Sequence, residues 1–135
     1  MINLAIIPAR SGSRGLKNKN IKTINNKTLI EIAYRIAEKS GIFSHIVVST
    51  DSSKYKKILE KKKIFIDSLR SKNFAKDDTS DLELLTYEIK KFEKNNKTKV
   101  NYIALLQPTS PIRDKWDLIK CFKLKCMIVL KLNTL

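Results

Sequence analysis

Three short apolar runs constrain this chain most: NLAIIP (3–8), HIVVST (45–50) and VNYIALLQ (100–107). Each has the length of a strand buried on both faces, and each stops at a polar, turn-rich stretch. Helix-period segments fill the intervals. Residues 28–40 place Leu29, Ile32, Ala33, Ile36 and Ala37 on one helical face, with Gly41 positioned as a C-cap. Residues 52–63 predict a second helix, and 81–94 repeat the helical period through Leu82, Leu85, Ile89 and Phe92. Residues 114–125 predict a fourth helix, and IFI at 64–66 a further short strand. Strands separated by helices of this length imply right-handed βαβ units, hence an α/β protein with a parallel sheet and helices on both faces.

Sheets of that kind bind ligands beyond the carboxyl ends of their strands. The motif-like stretches ARSGSRG, STD and QPTSPIR fall at those ends. The first belongs to IIPARSGSRGLKNKN (6–20), which holds two glycines and four basic side chains. It is neither a Walker A sequence nor a GxGxxG fingerprint. Gly12 and Gly15 permit a sharp turn whose N–H groups can cradle an anion. Arg10 and Arg14 can fork onto phosphate oxygens, Lys17 and Lys19 add point charges, and Asn20 offers an amide. A plain basic surface loop is the competing reading. Asp51 is expected to cap the helix after the second strand. In DDTSD (77–81), Thr79, Ser80 or Asp81 is expected to cap the next helix rather than to hold a metal. Pro108 and Pro111 stiffen LLQPTSPIR (105–113), where Gln107 and Arg113 offer an amide and a cation to the cleft.

Composition narrows the classes. The chain has 135 residues, enough for one domain, and 42% hydrophobic content, against disorder. No apolar run approaches the roughly 20 residues of a membrane helix, and no export signal is visible, so the expected location is the cytoplasm. Cys121 and Cys126 fit no zinc or redox spacing, and His45, the only histidine, is expected to be structural. The formal charge of +15 points to an anionic partner. Lysine-rich KYKKILEKKK (54–63) reads as a solvated face. Aromatic residues are not interleaved with the basic ones, which argues against nucleic acid as the partner.

IIPARSGSRGLKNKNI, VVSTD and LLQPTSPIR, in this order and spacing, resemble the acylneuraminate cytidylyltransferases over about residues 3–120. The family signature has the form A-R-G-G-S-K-G-I-x-x-K-N. Here Ser11 replaces the first of the paired glycines, Arg14 stands where Lys is usual, and Leu16 replaces Ile. The resemblance implies a Rossmann-like, parallel-sheet nucleotidyltransferase. It also implies a reaction in which a nine-carbon keto-acid sugar attacks CTP to give the CMP-sugar and pyrophosphate, with Mg²⁺. Neuraminic, legionaminic and pseudaminic acids all fit as the sugar. By family position Arg10, Ser13, Arg14 and Lys19 handle the triphosphate with Asn20 nearby, Arg10 and Lys19 being the catalytic pair. Arg70, Ser80 and Gln107 line the pocket around cytosine and ribose. The Kdo cytidylyltransferases, with a different loop and no QPTSP segment, resemble it less.

Family members are considerably longer. The resemblance therefore implies a truncated, nucleotide-binding portion over residues 1–125, without the aspartates that hold the metal or most of the homodimer contacts. Residues 126–135 are expected to be out of family register. If Ile128 is encoded ATA and Val129 begins GT, a shifted frame across Met127–Val129 reads Asp-Ser, where the family continues with those residues. On that codon choice, a frameshift near Cys126 is the expected origin of the ending. The expected function is thus a cytidylyltransferase impaired by truncation, with an inactive CTP-binding module and a basic nucleic-acid-binding protein as alternatives.

Overall fold

The computed structural model describes residues 1–12, 15–111 and 114–123. Strand β1 (Asn3–Pro8) lies between β4 (His45–Ser49) and β5 (Tyr102–Leu105), and both pairings are parallel. Leu4 aligns with His45 on one side and with Ile103 on the other. Between β1 and β4 come a small antiparallel hairpin, β2 (Thr23–Ile24) and β3 (Lys27–Thr28), and helix α1 (Leu29–Ser40). Helices α2 (Ser53–Glu60) and α3 (Asp81–Asn96) separate β4 from β5, and α4 (Lys115–Lys123) follows. The expected α/β class, parallel sheet and four helices are all present.

Alternation along β1 explains the layering. Ala5 and Ile7 point to one face, where Ile30, Ala33 and Ala37 of α1, Tyr55 and Leu59 of α2 and Leu118 of α4 cover them. Leu4 and Ile6 point to the other, against Leu85, Ile89 and Phe92 of α3. Both faces are shielded, so Leu4 through Ile7 are wholly buried, each worth about 1.5–3 kcal/mol for the larger side chains. On α3 the buried stripe runs through Leu84, Leu85, Glu88, Ile89 and Phe92, while Leu82 faces solvent. His45 packs edge-on against Phe92, a structural contact, and Cys121 lies half-buried on α4.

Local chemistry sets the helix ends. Thr28 caps α1 by accepting from the Glu31 N–H, and Gly41 closes it at φ +67°, as its sequence position predicts. Ser80 caps α3 in a reciprocal capping box with Glu83. Two expectations fail. Ser52, not Asp51, caps α2 by accepting from the Tyr55 N–H. Residues 64–66 form no strand: Ile64 and Ile66 are buried and Phe65 is exposed, but the segment has no ladder partner among the described residues.

No described helix is long and apolar enough to cross a membrane. Ser13, Arg14, Arg113 and Cys126 lie outside the described residues, as does the whole 126–135 segment expected to be out of register.

Candidate functional site

The strand order puts β1 at a branch point. The chain leaves it for β4 on one side and later returns to β5 on the other, so the β1 and β5 ends diverge and leave a crevice. A cleft of about 210 Å³ lies there, bounded by Pro8 and Arg10 after β1 and by Gln107 and Pro108 after β5. Lys19, Asn20 and Arg70 complete its basic side, while Asp77, Thr79 and Asp81 close it from the segment entering α3. Five residues expected at the site, Arg10, Lys19, Asn20, Arg70 and Gln107, therefore line one cleft.

The post-β1 segment is tethered at several points. The Ala9 N–H donates to the Ser49 carbonyl at 2.8 Å, carrying the sheet ladder past Pro8. Asn20 is buried, and its Nδ2 donates to the Arg10 carbonyl at 3.2 Å, fixing the backbone from which Arg10 projects. Lys19 opens a short 3-10 turn (Lys19–Ile21) after Asn18, which sits in the left-handed region at φ 57°. The Tyr55 hydroxyl, from α2, lies 3.3 Å from Asn18 Oδ1.

Asp51 supplies the strongest tether. Its Oδ1 accepts the Ser11 N–H at 2.8 Å and its Oδ2 the Ser11 hydroxyl at 3.0 Å. A carboxylate that binds both donors of one residue holds it in one orientation. Asp51 thus joins the loops after β1 and β4, in place of the capping role its sequence position suggests.

The cationic residues differ in environment. Arg10 is partly exposed and forms an ion pair with Asp77 through Nη1. Arg70 is 5% exposed: Nε donates to Ser49 Oγ at 2.8 Å, Nη2 to the Ser49 carbonyl, and Nη1 to the Phe74 carbonyl at 3.3 Å. Burial pulls its pKa below the ordinary guanidinium value and the charge of Arg10 adds to that, while Glu88 and Asp51 act in the opposite sense. Gln107 Nε2 reaches Asp81 Oδ2 at 3.4 Å. Ser80 lies beside the lining residues Thr79 and Asp81, with its hydroxyl engaged by Glu83.

Sequence reasoning missed Ser49, Glu88 and the pairing of Asp77. Glu88 carried a readable signal: it sits at helical spacing between Leu84, Leu85 and Phe92, on the apolar face of α3. Ser49 carried none, being one hydroxyl at the end of a strand. Asp77 and Asp81 both face the cleft, yet no three His, Cys, Asp or Glu side chains among the described residues could hold a metal ion. Mg²⁺ is commonly held by only one or two carboxylates together with substrate phosphates, and Asp77 and Asp81 are the carboxylates that line the cleft.

Comparison with known proteins places this geometry. The N-acylneuraminate cytidylyltransferase of Escherichia coli O18:K1:H7 (strain RS218 / NMEC) is 38% identical over 122 residues, 90% of this chain and 27% of that protein. The CMP-N,N'-diacetyllegionaminic acid synthase of Campylobacter jejuni (serotype O:2) is 33% identical over 80% of this chain and 46% of its own length. The chain thus spans between about a quarter and a half of these relatives. A CMP:2-keto-3-deoxy-manno-octonic acid synthetase, solved in complex with CTP, superposes with a TM-score of 0.76. That match covers 93% of this chain and 48% of the other at 19% identity, a likeness of fold. A cytidylyltransferase family profile matches residues 4–123, from the start of the central strand to the end of α4 and across every segment that builds the cleft, so the chain belongs to the cytidylyltransferase family.

Proposed function

We propose that this chain binds CTP in the cleft between β1 and β5 and serves cytidylyl transfer to a nine-carbon keto-acid sugar. The observation that carries the reading is the convergence of Arg10, Lys19 and Arg70 on one crevice at the sheet's branch point. A triphosphate brings several negative charges, and its transfer to a hydroxyl concentrates charge on the departing pyrophosphate. Fixed cations and amide donors favour that change and align the reacting oxygen. In the reaction the sugar hydroxyl oxygen attacks the α-phosphorus of CTP and loses its proton. The bridging P–O bond to the β-phosphate breaks, and pyrophosphate leaves.

On this reading Arg10 and Lys19 act on the triphosphate, with Ser13 and Arg14 joining them. Asn20 secures Arg10, and Arg70, Ser80 and Gln107 border the nucleoside. Residues 1–125 form the nucleotide-handling portion, and a homodimer is the assembly expected on this reading. When bound, the Mg²⁺ of such reactions would supply charge neutralisation on the phosphates. A CTP-consuming step of this kind belongs in the cytoplasm. The relatives act on different sugars by name, so neuraminic, legionaminic and pseudaminic acids are all substrates to test.

The chain spans only about a quarter to a half of the length of its relatives, which leaves a second reading, CTP binding without turnover. Calorimetry with CTP, beside a pyrophosphate-release assay with CTP, Mg²⁺ and a panel of these sugars, separates the two. Heat with pyrophosphate supports the transferase, and heat alone the binding module. Binding to single-stranded nucleic acid that falls steeply with salt, without preference for CTP, would refute both.

A further inference from the structure

Two opposite charges are buried beneath the cleft, on the α3 side of the sheet. Arg70 is 5% exposed and Glu88 2%. Ser49 joins them. It ends β4 with its side chain on the face opposite Val48, toward α3. Its hydroxyl donates to Glu88 Oε1 at 2.5 Å while its oxygen accepts Arg70 Nε–H at 2.8 Å. The direction of this relay is fixed by chemistry. A guanidinium can only donate, so the hydroxyl proton must go to Glu88. Lys91 Nζ approaches the other Glu88 oxygen at 3.8 Å.

The relay engages one edge of the Arg70 guanidinium. A guanidinium carries five N–H groups in one plane. Ser49 takes two along one edge, through Oγ and the backbone carbonyl, and Phe74 takes a third. Nη1 and Nη2 each retain one further N–H, and Arg70 is among the residues that line the cleft. The backbone is fixed as well, since the Arg70 N–H donates to the Thr50 carbonyl at 2.7 Å. A buried cation needs a compensating charge, and Glu88 supplies it from α3, which covers this face.

We infer that Glu88 is a positioning residue for the nucleotide: through Ser49 it sets the plane in which Arg70 presents its remaining N–H groups to CTP. This rests on the reading that CTP occupies the cleft. A role confined to stability would weaken folding without coupling to the ligand.

The test is CTP titration calorimetry on the full chain for wild type, Glu88→Gln, Ser49→Ala, Arg70→Lys and the double variant Glu88→Gln/Arg70→Lys. Glu88→Gln and Ser49→Ala are each expected to weaken CTP binding about tenfold, the scale of one hydrogen bond to a charged group. The double variant is expected to bind no worse than Arg70→Lys alone, because residues acting through one another are not additive. Wild-type affinity in Glu88→Gln, or losses that multiply in the double variant, would overturn the inference and leave the CTP reading intact. No CTP binding by wild type would bring down the CTP reading itself and the inference with it. A measurement on the unmutated chain covers variants that fail to fold: the ¹⁵N-resolved Nε–H signal of Arg70 must shift on CTP addition. A signal unmoved at saturating CTP also refutes the role.

Discussion

Replacing Asp77 by Asn should tighten CTP binding. Asp77 is paired with Arg10, the cation at the mouth of the cleft, so an incoming phosphate must displace a carboxylate to reach it. The two side chains are 30% and 37% exposed, enough for water to screen them strongly. Pairs in such settings are worth about 0.2–1 kcal/mol, so removing the competitor can raise affinity by at most about fivefold. Calorimetry at low and high salt checks the cause as well as the size. Screening shortens from about 10 Å at 0.1 M salt to about 3 Å at 1 M, so the advantage of the variant should shrink as salt rises. The melting temperature should hardly move. A variant that binds CTP tenfold more weakly, or one whose advantage is independent of salt, would show that Asp77 organises the ligand rather than competing with it.

Asp51→Ala should free Ser11 and loosen the loop. Limited proteolysis should then cut between residues 10 and 20 faster, and CTP affinity should fall, while uncut loops at unchanged affinity would disprove the tether. Ser80→Ala should cost about 1 kcal/mol in denaturant unfolding, the usual worth of a helix cap. The Ser80 N–H and hydroxyl hold the Glu83 carboxyl below its ordinary pKa. A depressed folded-state pKa adds stability that is present above the ordinary Glu value and lost as pH falls through the lowered one. Any stability gap between wild type and Glu83→Gln should therefore close on acidification, and a gap that widens would contradict the capping box. Ile6→Ala, at a wholly buried position against α3, should destabilise by about 2–5 kcal/mol, and a loss under 1 kcal/mol would refute the packing described.

The sheet was legible because its signal is local. Apolar runs at 3–8, 45–50 and 100–107 become β1, β4 and β5 within a few residues, and Thr28 and Gly41 bound α1 by their own side-chain and backbone chemistry. The hairpin was readable but overlooked: Asn25 and Asn26 both adopt positive φ, which adjacent asparagines tolerate in a tight β-turn. Other features were hidden because they depend on distant partners. Asp51 and Ser52 are equally good caps by pattern, and the choice is decided by Ser11, 40 residues away. Ile64 and Ile66 alternate like a strand, yet a strand also needs a neighbour. At the site, the cations could be named from motif and position. What they touch could not: Asp77 lies 67 positions from Arg10, and Ser49 lies 21 from Arg70 and 39 from Glu88.

The central place of β1 has a consequence for biosynthesis. Its register partners include Ile103, so the strand leaves the ribosome about a hundred residues before its second neighbour exists. At roughly 5–20 residues per second that delay is about 5–20 s, long on the scale of collapse or helix formation. During it, Leu4 to Ile7 can pair with β4 on one side only. Until then the apolar edge of β1 that β5 will cover stays unpaired, and slow codons between residues 50 and 100 would lengthen the wait.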